Sequence, residues 1–143
     1  MQNWSRIRTV LLVILGTLIG STVNGAILDL SAKFFPLPKG ADNSSMEALQ
    51  KTIHLFRPID YFPAFLAHAM GSLVAAICIT LFIKDQKAHR RGSYIASGLF
   101  LIGGIIMVMA LPAPFWFESI DLVFAYFPMA FLGIFIAEKL RKA

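Results

Sequence analysis

Four apolar runs, each about twenty residues long, dominate this chain and leave little between them. The first extends from about Ile7 to Leu30, the second from about Pro63 to Ile83. The third covers about Gly92 to Leu111 and the fourth about Ser119 to Ala137. A helix rises about 1.5 Å per residue, so some 20 apolar residues cross the hydrocarbon core of a bilayer. The pattern predicts an all-α integral membrane protein with four transmembrane helices, at about 7–30, 63–83, 92–111 and 119–137. They form a single four-helix domain over residues 1–143.

The connections arrange the spans. Residues 84–91 make a short basic loop and residues 112–118 a short turn, so spans two, three and four run antiparallel beside one another. Pro63 suits a first helical turn. Pro112 and Pro114 stop span three. Pro128 lies inside span four and predicts a kink there, because proline lacks the backbone donor. The long connection, 31–62, loses regular helix beyond Phe35, at Pro36-Leu37-Pro38. Ser44-Ser45-Met46-Glu47 then reads as a capping box with Ser44 three residues before Glu47. Met46, Leu49, Ile53 and Phe56 follow at spacings of three and four. A short amphipathic helix is expected over about 45–55, on the outer membrane surface or capping the bundle. Phe115, Trp116 and Phe117 at one boundary and Trp4 at the other read as interface anchors.

Charge sets the expected orientation. Hydrophobic residues are 57% of the chain and charged residues 15%, against about a quarter charged in a soluble domain. The net charge of +5 is unevenly placed. Arg6, Arg8, Lys84, Lys87, Arg90, Arg91, Lys139, Arg141 and Lys142 share one side with only Asp85 and Glu138. The other side carries four bases and six acids. Bases concentrate on the cytoplasmic side, so both termini are expected in the cytoplasm, in a bacterial inner membrane. The basicity is then a topology signal with acidic lipid headgroups as partners, and nucleic acid is excluded. The start of the chain has the look of a secretion signal, but its apolar run continues to Leu30 and reads as the first span. The single cysteine, Cys78, reads as a small buried hydrophobe.

Small residues mark helix contacts in lipid. Gly16 and Gly20, Ser21 and Gly25, the trio Ala67, Gly71 and Ala75, and Gly133 with Ala137 are four residues apart. They predict close packing within the bundle, with self-association into a homo-oligomer as the other use.

Polar residues at depth carry the functional signal, because they are costly there and face the bundle interior or a cavity. Measured from the outer boundary, Asn24, His68 and Tyr126 fall roughly 9–12 Å deep, Ser21 and Ser72 a turn deeper, and Asp29 and Asp121 only roughly 4 Å deep. Asn24, His68, Ser72, Asp121, Asp29 and Tyr126 are therefore the candidate ligand-binding residues, arranged as a funnel opening outward if their faces converge. Each also has a structural role open to it. Asn24 and Tyr126 can serve helix packing, His68 can bond a backbone carbonyl, and Asp29 and Asp121 can be solvated helix ends. Glu118 suits the first turn of span four. His54 and His89 lie outside the spans and are expected to be solvated. No two ligand-type residues stand at metal spacing on one helix, so no metal site is expected. Catalytic residues and cofactors are left unassigned, since no nucleophile elbow and no phosphate loop is present.

Three function classes follow. The first is binding or transport of a small molecule or ion through an outward-facing polar cavity, which for four spans would call for a dimer. The second is an accessory or scaffold subunit that packs against a membrane-protein partner. The third is an intramembrane enzyme acting on lipid or quinone, with His68 as base. An outside-facing cavity separates the first class, an uncovered apolar groove the second, and a lateral opening to lipid beside His68 the third.

Overall fold

The computed structural model describes residues 2–142, which form six α-helices joined by short turns. Helix α1 covers Gln2–Phe34 and α2 covers Met46–Thr52. Two single 3-10 turns follow, Ile53–Leu55 and Pro58–Tyr61. Helix α3 covers Phe62–Phe82, α4 Gln86–Ala110, α5 Phe115–Phe124 and α6 Phe127–Leu140. Four helical stretches are long and apolar enough to cross a membrane, α5 and α6 together counting as one. The fold is an all-α membrane fold.

Helix α3 is the hub, packing on α1, α4 and α6. Its neighbours come close because the contact residues are small. A Cβ on Gly20 would lie 2.5 Å from the Gly71 carbonyl oxygen and 2.7 Å from Ala75 Cβ. On the opposite flank, a Cβ on Gly133 would lie 2.6 Å from the Leu73 carbonyl oxygen. Ala67, Ala75, Ala76, Ala130, Ala137 and Ser93 fill these contacts, while large side chains such as Leu18, Ile95, Ile106 and Phe131 are exposed. That inversion of a soluble core is expected where lipid tails solvate Leu and Ile as well as protein does. The pair Ser21 and Gly25 is different. Ser21 is exposed, and nothing lies within 4 Å of a Cβ added at Gly25, so this motif packs against no described residue.

Helix boundaries depart from the sequence pattern where caps extend them. Helix α4 begins at Gln86, ahead of the apolar run, because the Asp85 carboxylate accepts the Ala88 N–H at 2.7 Å and caps it. The expected basic loop is therefore mostly the first two turns of α4. Helix α2 is capped by Ser45, whose hydroxyl accepts from Ala48 N–H at 3.1 Å, and Glu47 pairs with Lys51 at 2.6 Å. The Ser44–Glu47 capping box does not form. Ser44 instead donates its N–H to Asp42 at 2.8 Å, which holds the exposed Asp42 carboxyl below its ordinary range.

The expected amphipathic segment exists as α2 plus the first 3-10 turn, and it caps the bundle. Gln50 Nε2 donates to the Ala110 carbonyl at 2.7 Å, satisfying one of the orphan carbonyls at the end of α4. The second 3-10 turn is held by Asp60, which accepts from Arg57 N–H and from its guanidinium, both at 2.7 Å. Below it Tyr61 packs on Phe117 at 4.8 Å and on Trp116 at 5.7 Å between ring centroids. Of the expected anchors, Phe115 and Trp4 are exposed, whereas Phe117 is drawn into this aromatic plug. The end of the bundle that carries α2 is called here the α2 end, and the opposite one the basic end.

Candidate functional site

Pro128 builds the site. It has no N–H to give the Phe124 carbonyl, and its ring would strike that carbonyl in a continuous helix. The fourth span accordingly breaks at Ala125–Tyr126, and Tyr126 leaves helical geometry at φ −111°, ψ −85°. In an unbroken helix side chains five residues apart point about 140° away from each other. The break turns the Tyr126 phenol back towards Asp121, and its hydroxyl donates to Asp121 Oδ2 at 3.0 Å. Helix α4 makes room for the ring at Gly104, where an added Cβ would collide with the Tyr126 hydroxyl.

His68, from α3, completes the cluster. Its Nδ1 lies 2.9 Å from both carboxylate oxygens of Asp121 and 3.2 Å from the Tyr126 hydroxyl, and its ring stacks on Tyr126 with centroids 5.8 Å apart. A carboxylate only accepts, so Nδ1 is the protonated, donating nitrogen. Nε2 is left without a partner among the described residues. Asp121 is 3% exposed and Tyr126 1%. Asp121 sits one turn below Phe117 on α5, under the aromatic plug. The expectation of an acid near the surface is thus corrected for Asp121, which is buried beside His68 and Tyr126.

Beside this cluster lies a cavity of about 380 Å³, lined by Asn24 from α1, His68, Tyr126, and Phe100, Gly103 and Met107 of α4 among others. It is mainly apolar, with Asn24, His68 and Tyr126 as its polar side chains. Phe100, in the lining, reaches within 3.2 Å of a Cβ position on Gly20 of α1. Leu99 and Ile106, on its rim, are exposed flank residues of α4. The mouth therefore looks sideways between α1 and α4, where lipid would lie.

Four of the six candidates surround this cluster and cavity: His68, Asp121, Tyr126 and Asn24. Asn24 shares the cavity wall with His68 without a direct hydrogen bond and packs beside Gly71. Asp29 does not join them. It is exposed towards the end of α1, outside the cavity lining, because the face of α1 that meets α3 is set by Gly16 and Gly20. Ser72 is buried in α3 a turn below His68, and its hydroxyl has no hydrogen-bond partner among the described residues. An unpaired buried hydroxyl costs desolvation and returns nothing. Ser72→Ala is therefore expected to leave stability within about 0.5 kcal/mol of the parent or to raise it. A melting curve in detergent checks this.

A second polar cluster was not anticipated. His89 is buried, not solvated: Nε2 lies 3.1 Å from Glu138 Oε1 and Nδ1 lies 3.2 Å from the Ile83 carbonyl. His54 is exposed, as expected. The available signal for His89 was Glu138, one of only two acids on a side with nine bases. Among the described residues no group of three or more His, Cys, Asp or Glu side chains stands ready for a metal ion.

Fold and site together define a four-span membrane protein with a part-buried His–Asp–Tyr cluster in the wall of a side-opening cavity. No protein-family model, curated protein or solved structure matches the chain.

Proposed function

We propose that the protein binds a small amphiphile, of lipid or quinone type, in the α2-end half of the membrane. The ligand enters sideways between α1 and α4, rests its apolar body on Phe100, Gly103 and Met107, and bonds its polar group to His68. One observation carries this reading: His68 is clamped through Nδ1 by a buried carboxylate, while its ring lines a mostly apolar cavity and Nε2 has no partner among the described residues. The His68 side chain keeps 20% of its surface exposed where it lines the cavity, so its ring is open to a ligand there. The volume of about 380 Å³ is at the small end of ligand pockets. With nine bases against two acids at the basic end, the α2 end faces outward and both termini lie in the cytoplasm.

A catalytic version of the same reading has its own support. A carboxylate on Nδ1 orients an imidazole and leaves Nε2 as a general base, the arrangement an acid–base enzyme uses. Binding comes first in either version. Transport of a small molecule or ion, in a dimer, and the accessory-subunit role draw support only from the lipid-exposed faces of α1 and α4.

The test is a titration of the full chain in lipid nanodiscs with a short-chain quinone and, separately, a lysolipid, read by ¹⁵N resonances of the histidines. One probe is expected to shift the His68 Nε2 signal saturably, and Tyr126→Phe to weaken its binding. Absence of any saturable shift at His68 in folded protein would sink the proposal.

A further inference from the structure

At the basic end a separate hollow of about 290 Å³ lies between the α3–α4 turn and the end of α6. It is lined by Lys84, Gln86, His89, Glu138, Arg141 and Lys142. Hydrogen bonds build its floor. Glu138 accepts from Arg90 Nε at 2.9 Å and Nη2 at 3.0 Å, and its Oε1 meets His89 Nε2 at 3.1 Å. Arg141 Nη1 donates to the Thr80 carbonyl at 2.9 Å and the Ile83 carbonyl at 3.1 Å, closing the end of α3. The one carboxylate in the lining is thus occupied by Arg90, a cation outside the lining, and by His89.

What remains is positive. Lys84, Arg141 and Lys142 give three charges against the single one of Glu138, a surplus of two before Arg90 is counted. Lys84 and Lys142 are exposed and form no ion pair among the described residues. Two free ammonium groups over a concave floor that already neutralises its own acid suit a compact anion with several acceptor oxygens. Phe82 and Leu140, both exposed, stand at the same level, so the hollow opens where helix surface passes from apolar to charged. That is the level of lipid phosphate.

We propose that this hollow binds the phosphate of an acidic phospholipid headgroup, with Lys84 and Lys142 as the capturing groups and the His89–Glu138–Arg90–Arg141 network as the rigid floor. The site is independent of the His68 cavity.

The experiment uses the full chain in neutral detergent, with native mass spectrometry of retained phosphatidic acid against phosphatidylcholine of the same acyl chains. Phosphatidic acid is expected to be retained in preference. Lys84→Ala/Lys142→Ala should lower its retention by about tenfold or more, from the contribution of each basic residue at a charged surface. Lys87→Ala/Lys139→Ala removes the same charge from the same end but outside the hollow, and should change retention by less than about twofold. Equal losses in the two double variants would mean a diffuse surface charge and overturn the site. Equal retention of the two lipids would overturn it as well. Displacement of the lipid by millimolar inorganic phosphate would reassign the hollow to a soluble phosphate and overturn the lipid.

Discussion

Replacing Gly20 by leucine is expected to detach α1 from the bundle. A Cβ alone would come within 2.5 Å of the Gly71 carbonyl oxygen and 2.7 Å of Ala75 Cβ, and both neighbours belong to the helix face itself. Neither can rotate away as a flexible side chain would, so the helices must separate. Overpacking in a well-filled core costs about 1–3 kcal/mol, and here the upper end applies because the inserted group meets backbone. For a chain of this size the melting point in detergent should fall on the order of 10 °C. Gly25→Leu is the matched control on the same helix, since nothing lies within 4 Å of the added Cβ. It should melt within about 2 °C of the parent. Equal melting of the two variants would show that α1 is not seated on α3 through Gly20. Loss of the α1 seat would also open the cavity wall that Asn24 provides, so ligand response at His68 should disappear with it.

The second large effect is expected at Asp121. Its carboxylate is the acceptor for the Tyr126 hydroxyl at 3.0 Å and for His68 Nδ1 at 2.9 Å. Asp121→Leu takes the shared acceptor from the buried Tyr126 hydroxyl and the part-buried His68 Nδ1, leaving them only their 3.2 Å contact with each other. Loss of a hydrogen-bond partner costs about 1–3 kcal/mol in a protein interior, and hydrogen bonds between membrane helices measure somewhat less, so a loss of about 2 kcal/mol is expected. Tyr126→Phe removes one of the two bonds and should cost about 1 kcal/mol. Denaturant unfolding in mixed micelles measures both. The imidazole supplies a readout that a packing defect would not move. With the carboxylate gone nothing holds the proton on Nδ1, so the ¹⁵N pattern of His68 should change tautomer in Asp121→Leu. The pattern should be retained in Tyr126→Phe. An unchanged His68 pattern in Asp121→Leu would mean that the acid does not orient the ring.

The parts of this architecture legible in the sequence are those that each helix decides for itself. In a bilayer every span must satisfy its backbone hydrogen bonds internally, so about 20 apolar residues announce a helix whatever its neighbours do. The four spans and the amphipathic segment near 45–55 could be read that way. Ends were less legible. Helix α4 starts at Gln86 because a single side chain, Asp85, caps it, and the helix then runs on through basic residues that hydropathy assigns to a loop. Pro128 likewise announced a kink in the fourth span, but neither the full break into two helices nor its consequence. The missing N–H is a local fact. That the freed turn would swing Tyr126 onto Asp121 depended on Gly104 leaving space across the α4 contact.

Depth along each helix can be counted from a sequence, and the count put His68 and Tyr126 at one level, where they meet. Rotation about each helix axis cannot be counted. It is chosen by which small residues let two backbones approach, and that is a property of pairs of helices. Gly16 and Gly20 turn α1 so that Asn24 reaches the cavity and Asp29 points away, although both residues read as polar groups on neighbouring faces. Asp121, which by depth alone belonged to the surface, is 3% exposed and bonded to His68 and Tyr126 from across the bundle and across the break. His89 is buried by Glu138 and Arg141, which lie about fifty residues away along the chain. The sequence by itself determined the number of spans, a kink in the fourth and the uneven charge of the two ends, because these follow from hydrogen bonding and solvation within one segment. Only the tertiary structure decided which polar side chains share a site, because that rests on contacts among separate helices and on the volume their smallest residues leave open.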